Sequence, residues 1–171
     1  MLGILLLAAG LRLFGSQDAP PGIEHDEVAN WLIDRSILAG RHAVYFTQAY
    51  GHEAGYHYLQ AASVALFGDH PLSLRLPTIF LSLIGLAVSY ALARALFGER
   101  VALIQAGSLA VLFWPLFYAR LGLRALSLPA VAGLAAWFFW RGVVNARGRI
   151  GRDAVLAGLL AGLAMYTYMA A

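Results

Sequence analysis

The sequence predicts an all-α polytopic membrane protein, and three observations carry that prediction. Of 171 residues, 61% are hydrophobic and 12% charged, with a mean hydropathy of +0.71, far more apolar than a soluble domain. Apolar runs recur at roughly the length of a membrane helix. The charges are segregated: Arg clusters in turns between the later runs, whereas acids collect in residues 16–75. The formal charge of +3 is carried without a single Lys and reports topology, so nucleic acid is excluded as a partner. The absence of Cys removes disulfides and thiolate metal sites.

The first expected span is 1–15, short for a bilayer and carrying Arg12 near its far end, where a charge is costly unless it faces protein or a cavity. It lacks the basic start and small-residue cleavage site of a signal peptide. Residues 16–75 form the expected outer loop with two juxtamembrane helices. Val28–Ala39 reads as an amphipathic helix lying at the interface, with Glu27, Asn30 and Asp34 on one face and Trp31 near the headgroups. Gly40 ends it, and residues 41–53 read as a polar, aromatic-rich loop. The run 55–67 is apolar but covers only about 20 Å as a helix, and is read as non-spanning. Four more spans follow, at 76–97, 101–119, 125–143 and 153–171, where Gly and Ala suit close helix packing.

With five crossings, the turns around Arg94, Arg100, Arg141, Arg147, Arg149 and Arg152 share one side, with two acids. Seven acids and three Arg of residues 16–75 share the other. That division obeys the positive-inside rule and puts the acidic region outside. The chain stops at or inside an apolar helix without a polar tail, and is read as part of a longer protein.

The most unusual stretch is Pro20-Pro21-Gly22-Ile23-Glu24-His25-Asp26-Glu27. Pro21-Gly22 is a turn in which Gly supplies positive φ, and either Asp26 or Glu24 caps the helix that follows. The same turn also suits aiming Asp26 and Glu27 at a cavity, as base or ligand.

Taken in order, Leu11-Arg12-Leu13, the Pro-Pro-Gly turn with its Asp-Glu pair, Glu53 ahead of an aromatic helix, Leu74-Arg75-Leu76-Pro77 and Ala93-Arg94-Ala95-Leu96-Phe97-Gly98 resemble the N-terminal part of GT-C fold glycosyltransferases. The group resembled is that of the protein O-mannosyltransferases and aminoarabinose transferases (glycosyltransferase family 39-like). One departure is Ala54-Gly55, where that group has Pro-Pro after the acid. The resemblance implies transfer of a sugar from a polyprenyl-phosphate donor to a protein, lipid or glycan acceptor, at the outer face of a bacterial inner membrane. It implies catalytic roles for Asp26 and Glu27 and a substrate-binding role for Glu53.

Arg12, Arg75, Arg120 and Arg124 all fall near outer helix ends, where guanidinium suits a lipid phosphate and snorkelling is the bland alternative. His52-Glu53 followed by His57 is one residue longer than the zincin motif, setting the two His about 140° apart. A divalent cation, if one is used, would be shared by Asp26, Glu53 and His52. The rival reading is a transporter or lipid-binding module with an external acidic ion site, whose acids would be expected at mid-membrane on broken helices.

Overall fold

The computed structural model describes residues 1–145 and 151–168; the basic turn Arg147-Gly148-Arg149 and the last residues of the final apolar segment lie outside the described residues. The chain is an all-α membrane protein with helices α1 (Leu2–Leu13), α2 (His25–Leu38), α3 (Ala54–Phe67), α4 (Pro71–Phe97), α5 (Glu99–Val111), α6 (Phe113–Ala119), α7 (Ser127–Asn145) and α8 (Arg152–Thr167). Among the described residues, α4 and the stretch Arg124–Val144 are each long and apolar enough to cross a membrane. The α5–α6 pair qualifies as one bent span. At 12 and 16 residues, α1 and α8 are shorter.

Helix α4 begins five residues before the expected span, for a local reason. His70 caps it by accepting the Ser73 N–H, the Ser73 hydroxyl answers the His70 backbone, and Pro71 sits in the first turn. Pro77 has no N–H for the Ser73 carbonyl four residues back, and the Ser63 hydroxyl of α3 takes up that carbonyl at 2.7 Å. The helix therefore continues through Pro77 to 27 residues, about 40 Å.

The expected span at 101–119 is bent by 59° at Leu112, which is extended (φ −60°, ψ 139°). The cause is Pro115, whose missing N–H and ring both disrupt the helix at the Val111 carbonyl. The loop expected at 41–53 contains a minimal antiparallel ribbon, β1 (Tyr45–Phe46) with β2 (His52–Glu53), paired Tyr45 to Glu53 and Phe46 to His52. A 3-10 turn at Gln48–Tyr50 joins the strands, and Gly51 (φ 98°) allows the Tyr45 ring to lie directly on its backbone.

Close packing by small residues is realised where α4 meets α7. A Cβ on Gly133 would come within 3.1 Å of Val88, and one on Gly85 within 3.7 Å of the Ala130 backbone. Ala102, Ala106 and Ala110 form a fully buried stripe on α5. Large apolar side chains such as Leu6, Ile104, Phe139 and Leu159 point outward, as a lipid-facing surface requires. A second apolar cluster, Ile33, Ile37, Phe46, Ala54 and Ala61, ties α2, α3 and the ribbon together.

The sequence placed Glu27, Asn30 and Asp34 on one face of α2, and the structure decides where that face points. Its polar face turns inward, with Glu27, Asn30 and Asp34 at most 1% exposed, while Val28 and Leu32 are exposed. Polar groups point into the protein because partners await them there, and Ile33 and Ile37 are buried beside them in the apolar cluster.

Candidate functional site

The end of α1, the start of α4, the end of α6, the start of α7 and the end of α8 meet beneath α2, α3 and the ribbon. Arg75 of α4 reaches the Ser16 carbonyl beyond α1 at 2.9 Å, and Arg120 after α6 reaches the Phe14 carbonyl. Arg124 ahead of α7 pairs with Glu53 and lies 5.0 Å over the Tyr168 ring at the end of α8. Gly55 abuts the same end: a Cβ there would come within 3.0 Å of the Tyr166 backbone, which gives Ala54-Gly55 a packing reason.

The acidic stretch divides its labour. Gly22 adopts φ 76°, completing the expected turn. Glu24 caps α2, its carboxylate accepting the Asp26 N–H at 2.9 Å, while the Glu27 carboxylate accepts the Glu24 N–H at 3.0 Å. Of the two capping candidates, Glu24 is therefore the cap. Glu27 also accepts the Gly122 N–H at 2.8 Å and a two-pronged contact from Arg75 at 2.9 and 3.1 Å. The remaining Arg75 donors bind the carbonyls of Ser16, Pro20 (3.1 Å) and Gly22 (2.6 Å). All five guanidinium N–H groups are thus committed, and a phosphate could reach Arg75 only by breaking these bonds. Glu27 and Arg75 build the site's floor, and Asn30 extends it by donating to the Gly122 carbonyl at 2.7 Å.

Asp26, by contrast, has a 69% exposed side chain with the His25 ring beside it, at 3.5 Å. It lies between two cavities. One, of about 420 Å³, runs from Pro20, Pro21 and Glu24 to Phe117, Tyr118 and Leu121; the other, of about 240 Å³, is bounded by Asn30, Ala49, His52, Arg124 and Tyr168. Asp26 and Leu123 line both.

The other expected arginines stand apart. Arg12, 2% exposed, donates to the Ala8 carbonyl, to Ser82 Oγ, and to the Leu109 and Ala110 carbonyls at 3.3 Å. Those last two carbonyls lie where α5 breaks, so Arg12 caps a broken helix inside the bundle. Arg120 serves the end of α1 in the same way.

The expected cation set of Asp26, Glu53 and His52 is not assembled: among the described residues, no group of three or more His, Cys, Asp or Glu is placed to hold a metal. His52 belongs instead to a buried chain missed in the sequence. Its Nδ1 lies 3.0 Å from His57 Nε2, and His57 Nδ1 lies 3.3 Å from Asp34 Oδ1. Burial pushes Asp34 up to about 9 and His57 down to about 3, and lowers His52 as well. The chain is therefore neutral. The Ala49 backbone partly opposes the lowering of His52. The advance signals were Asp34 sharing a face with Glu27 and Asn30 and the close spacing of His52 and His57, and nothing in the sequence joined the two.

With this geometry in place, comparison with known proteins finds that a family model described as dolichyl-phosphate-mannose-protein mannosyltransferase matches residues 52–171. No curated protein and no solved structure matches the chain.

Proposed function

The chain belongs to the dolichyl-phosphate-mannose-protein mannosyltransferase family, and from that premise we propose that it carries the catalytic base of a membrane glycosyltransferase. In this reading the enzyme moves a sugar from a polyprenyl-phosphate carrier to a protein hydroxyl at the outer face of the membrane. Asp26 is the general base that takes the acceptor's proton. Arg124, the guanidinium lining the smaller Asp26 cavity, faces the departing phosphate, held in place by Glu53 and Tyr168. Glu27 and Arg75 position the loop and take no proton.

The observation that carries the proposal is the contrast between two adjacent carboxylates. Glu27 is buried with both oxygens occupied, whereas Asp26 is exposed, relieved of capping by Glu24, and set at the junction of two cavities. The test is sugar transfer by full-length Asp26→Asn, with thermal stability measured alongside. Transfer should fall by about 10²–10⁴-fold while stability stays at wild type. Glu24→Ala should show the reverse, losing about 1 kcal/mol of stability with the base intact. An active Asp26→Asn enzyme ends the assignment.

A further inference from the structure

Helices α2 and α3 face each other across two polar levels. In one, Asp34 Oδ1 lies 3.3 Å from His57 Nδ1. In the other, one turn earlier on α2 and one turn later on α3, Asn30 and Gln60 meet at Gly122. The Asn30 amide donates to the Gly122 carbonyl at 2.7 Å, and a Cβ on Gly122 would lie 3.0 Å from Gln60 Nε2. Three oxygens are left over: Asn30 Oδ1, Asp34 Oδ2 and Gln60 Oε1 have no hydrogen-bond partner among the described residues. All three side chains are at most 1% exposed. Turning the amides over does not help. Asn30 would then face the Gly122 carbonyl with an oxygen, and Gln60 would do the same to the Leu74 carbonyl, which its Nε2 now reaches at 2.7 Å.

Three buried acceptors with no donor are costly to desolvate, and what they lack is positive charge. The neighbouring cations are committed elsewhere: Arg75 to Glu27 and three carbonyls, and Arg124 to Glu53. The charge count of the gap is one carboxylate and two neutral amides, which a single positive charge balances. A divalent ion would leave an excess charge buried there.

We propose that Asp34 Oδ2, Asn30 Oδ1 and Gln60 Oε1 form a binding site for a monovalent metal cation that clamps α2 to α3. With one acid and two amides, the set is distinct from the Asp26, Glu53 and His52 set expected from the sequence, and it asks nothing of Asp26. The ion and a proton compete for Asp34. Without the ion, burial pushes Asp34 up to about 9, so the stability its proton brings is lost as pH rises through that value. The ion binds the ionised carboxylate, and its affinity therefore rises about tenfold per pH unit below 9. The groups around Asp34 leave this linkage to Asp34 alone. Burial lowers His57 and His52, which stay neutral, and raises the Tyr56 phenol, while Glu27 is tied to Arg75 and Glu53 to Arg124.

The experiment follows thermal unfolding of the full-length protein in detergent, in NaCl, KCl or choline chloride at one ionic strength, at pH 6.5 and 8.5. NaCl or KCl should raise Tm above its value with the bulky choline cation. The concentration giving half of that rise should be about a hundredfold lower at pH 8.5 than at pH 6.5. Asp34→Asn keeps the shape and removes the charge, so its Tm should be the same in all three salts. Gln60→Met removes one ligand oxygen and keeps Asp34; it should need about tenfold more salt with the pH dependence intact, which tests the site even where Asp34→Asn does not fold. Equal melting in the three salts at pH 8.5 overturns the site and leaves a neutral Asp34 facing water. A salt response undiminished in both variants places the ion elsewhere and overturns it too. A response to CaCl₂ with none to NaCl or KCl overturns the charge count.

Discussion

Replacing Arg75 by Leu isolates the structural part of the site. The guanidinium is 1% exposed and makes five hydrogen bonds, two to Glu27 and three to the carbonyls of Ser16, Pro20 and Gly22. The substitution leaves a carboxylate, itself 1% exposed, with the Gly122 and Glu24 N–H groups as its remaining donors, and strips three carbonyls of their partner. Breaking a buried ion pair on one side costs about 3–5 kcal/mol, and the orphaned carbonyls place this case at the upper end. Glu27→Leu strands the guanidinium instead and should cost a similar amount. Removing both partners should cost well under the sum of the two, since neither charge is then left alone. The assay is denaturant or thermal unfolding of the full-length protein, with limited proteolysis across residues 16–26 as a local readout. If Arg75→Leu keeps wild-type stability and only raises the donor KM, the structural role is refuted and the phosphate contact expected from the sequence is restored.

Three further outcomes follow from the same geometry. A Cβ on Gly122 would lie 3.0 Å from the Leu74 carbonyl and 3.3 Å from Glu27 Oε1, both fixed, so Gly122→Ala should destabilise by about 1–3 kcal/mol, measured by thermal unfolding. Asp34 holds its proton to about pH 9 in the fold but loses it near 3.8 when unfolded, and His57 binds a proton near 6.5 only when unfolded. The two effects cancel between those lower values; above about 6.5 the folded chain alone retains the Asp34 proton, so stability should fall as pH rises towards 9. Asp34→Asn should flatten that alkaline limb in a melting-temperature series, and an unchanged limb would show that Asp34 is ionised in the fold. Because the chain has no Cys, single Cys at Asp18 and Asp69 should both react with an impermeant reagent from outside; labelling from opposite sides would show that α3 crosses.

How much was legible in the sequence depends on how local the cause was. Composition and run length sufficed for an all-α membrane protein, since backbone groups in lipid must be satisfied within helices. The Pro21-Gly22 turn, the shared face of Glu27, Asn30 and Asp34, and close packing by Gly and Ala also follow from neighbours a few residues apart. Whether that face met water or protein did not, because its partner Gly122 lies 92 residues beyond Asn30. The bend at Leu112 had a local sign in Pro115, but proline alone does not say whether a helix breaks or, as at Pro77, continues because a neighbouring hydroxyl takes the freed carbonyl.

The site shows the same limit. Asp26 stood out by its chemistry, and Arg12 and Arg75 stood out as buried cations that needed partners. A guanidinium at a helix end reads alike whether it faces a phosphate, a carboxylate or a row of carbonyls. Only the tertiary structure assigned Arg75 to Glu27 and three loop carbonyls, Arg12 to the broken end of α5, and Arg124 to the cavity that Asp26 also lines. Residue type fixes which partners a buried charge can accept, but long-range packing decides which partner is within hydrogen-bond reach, and at that distance a partner decides the role.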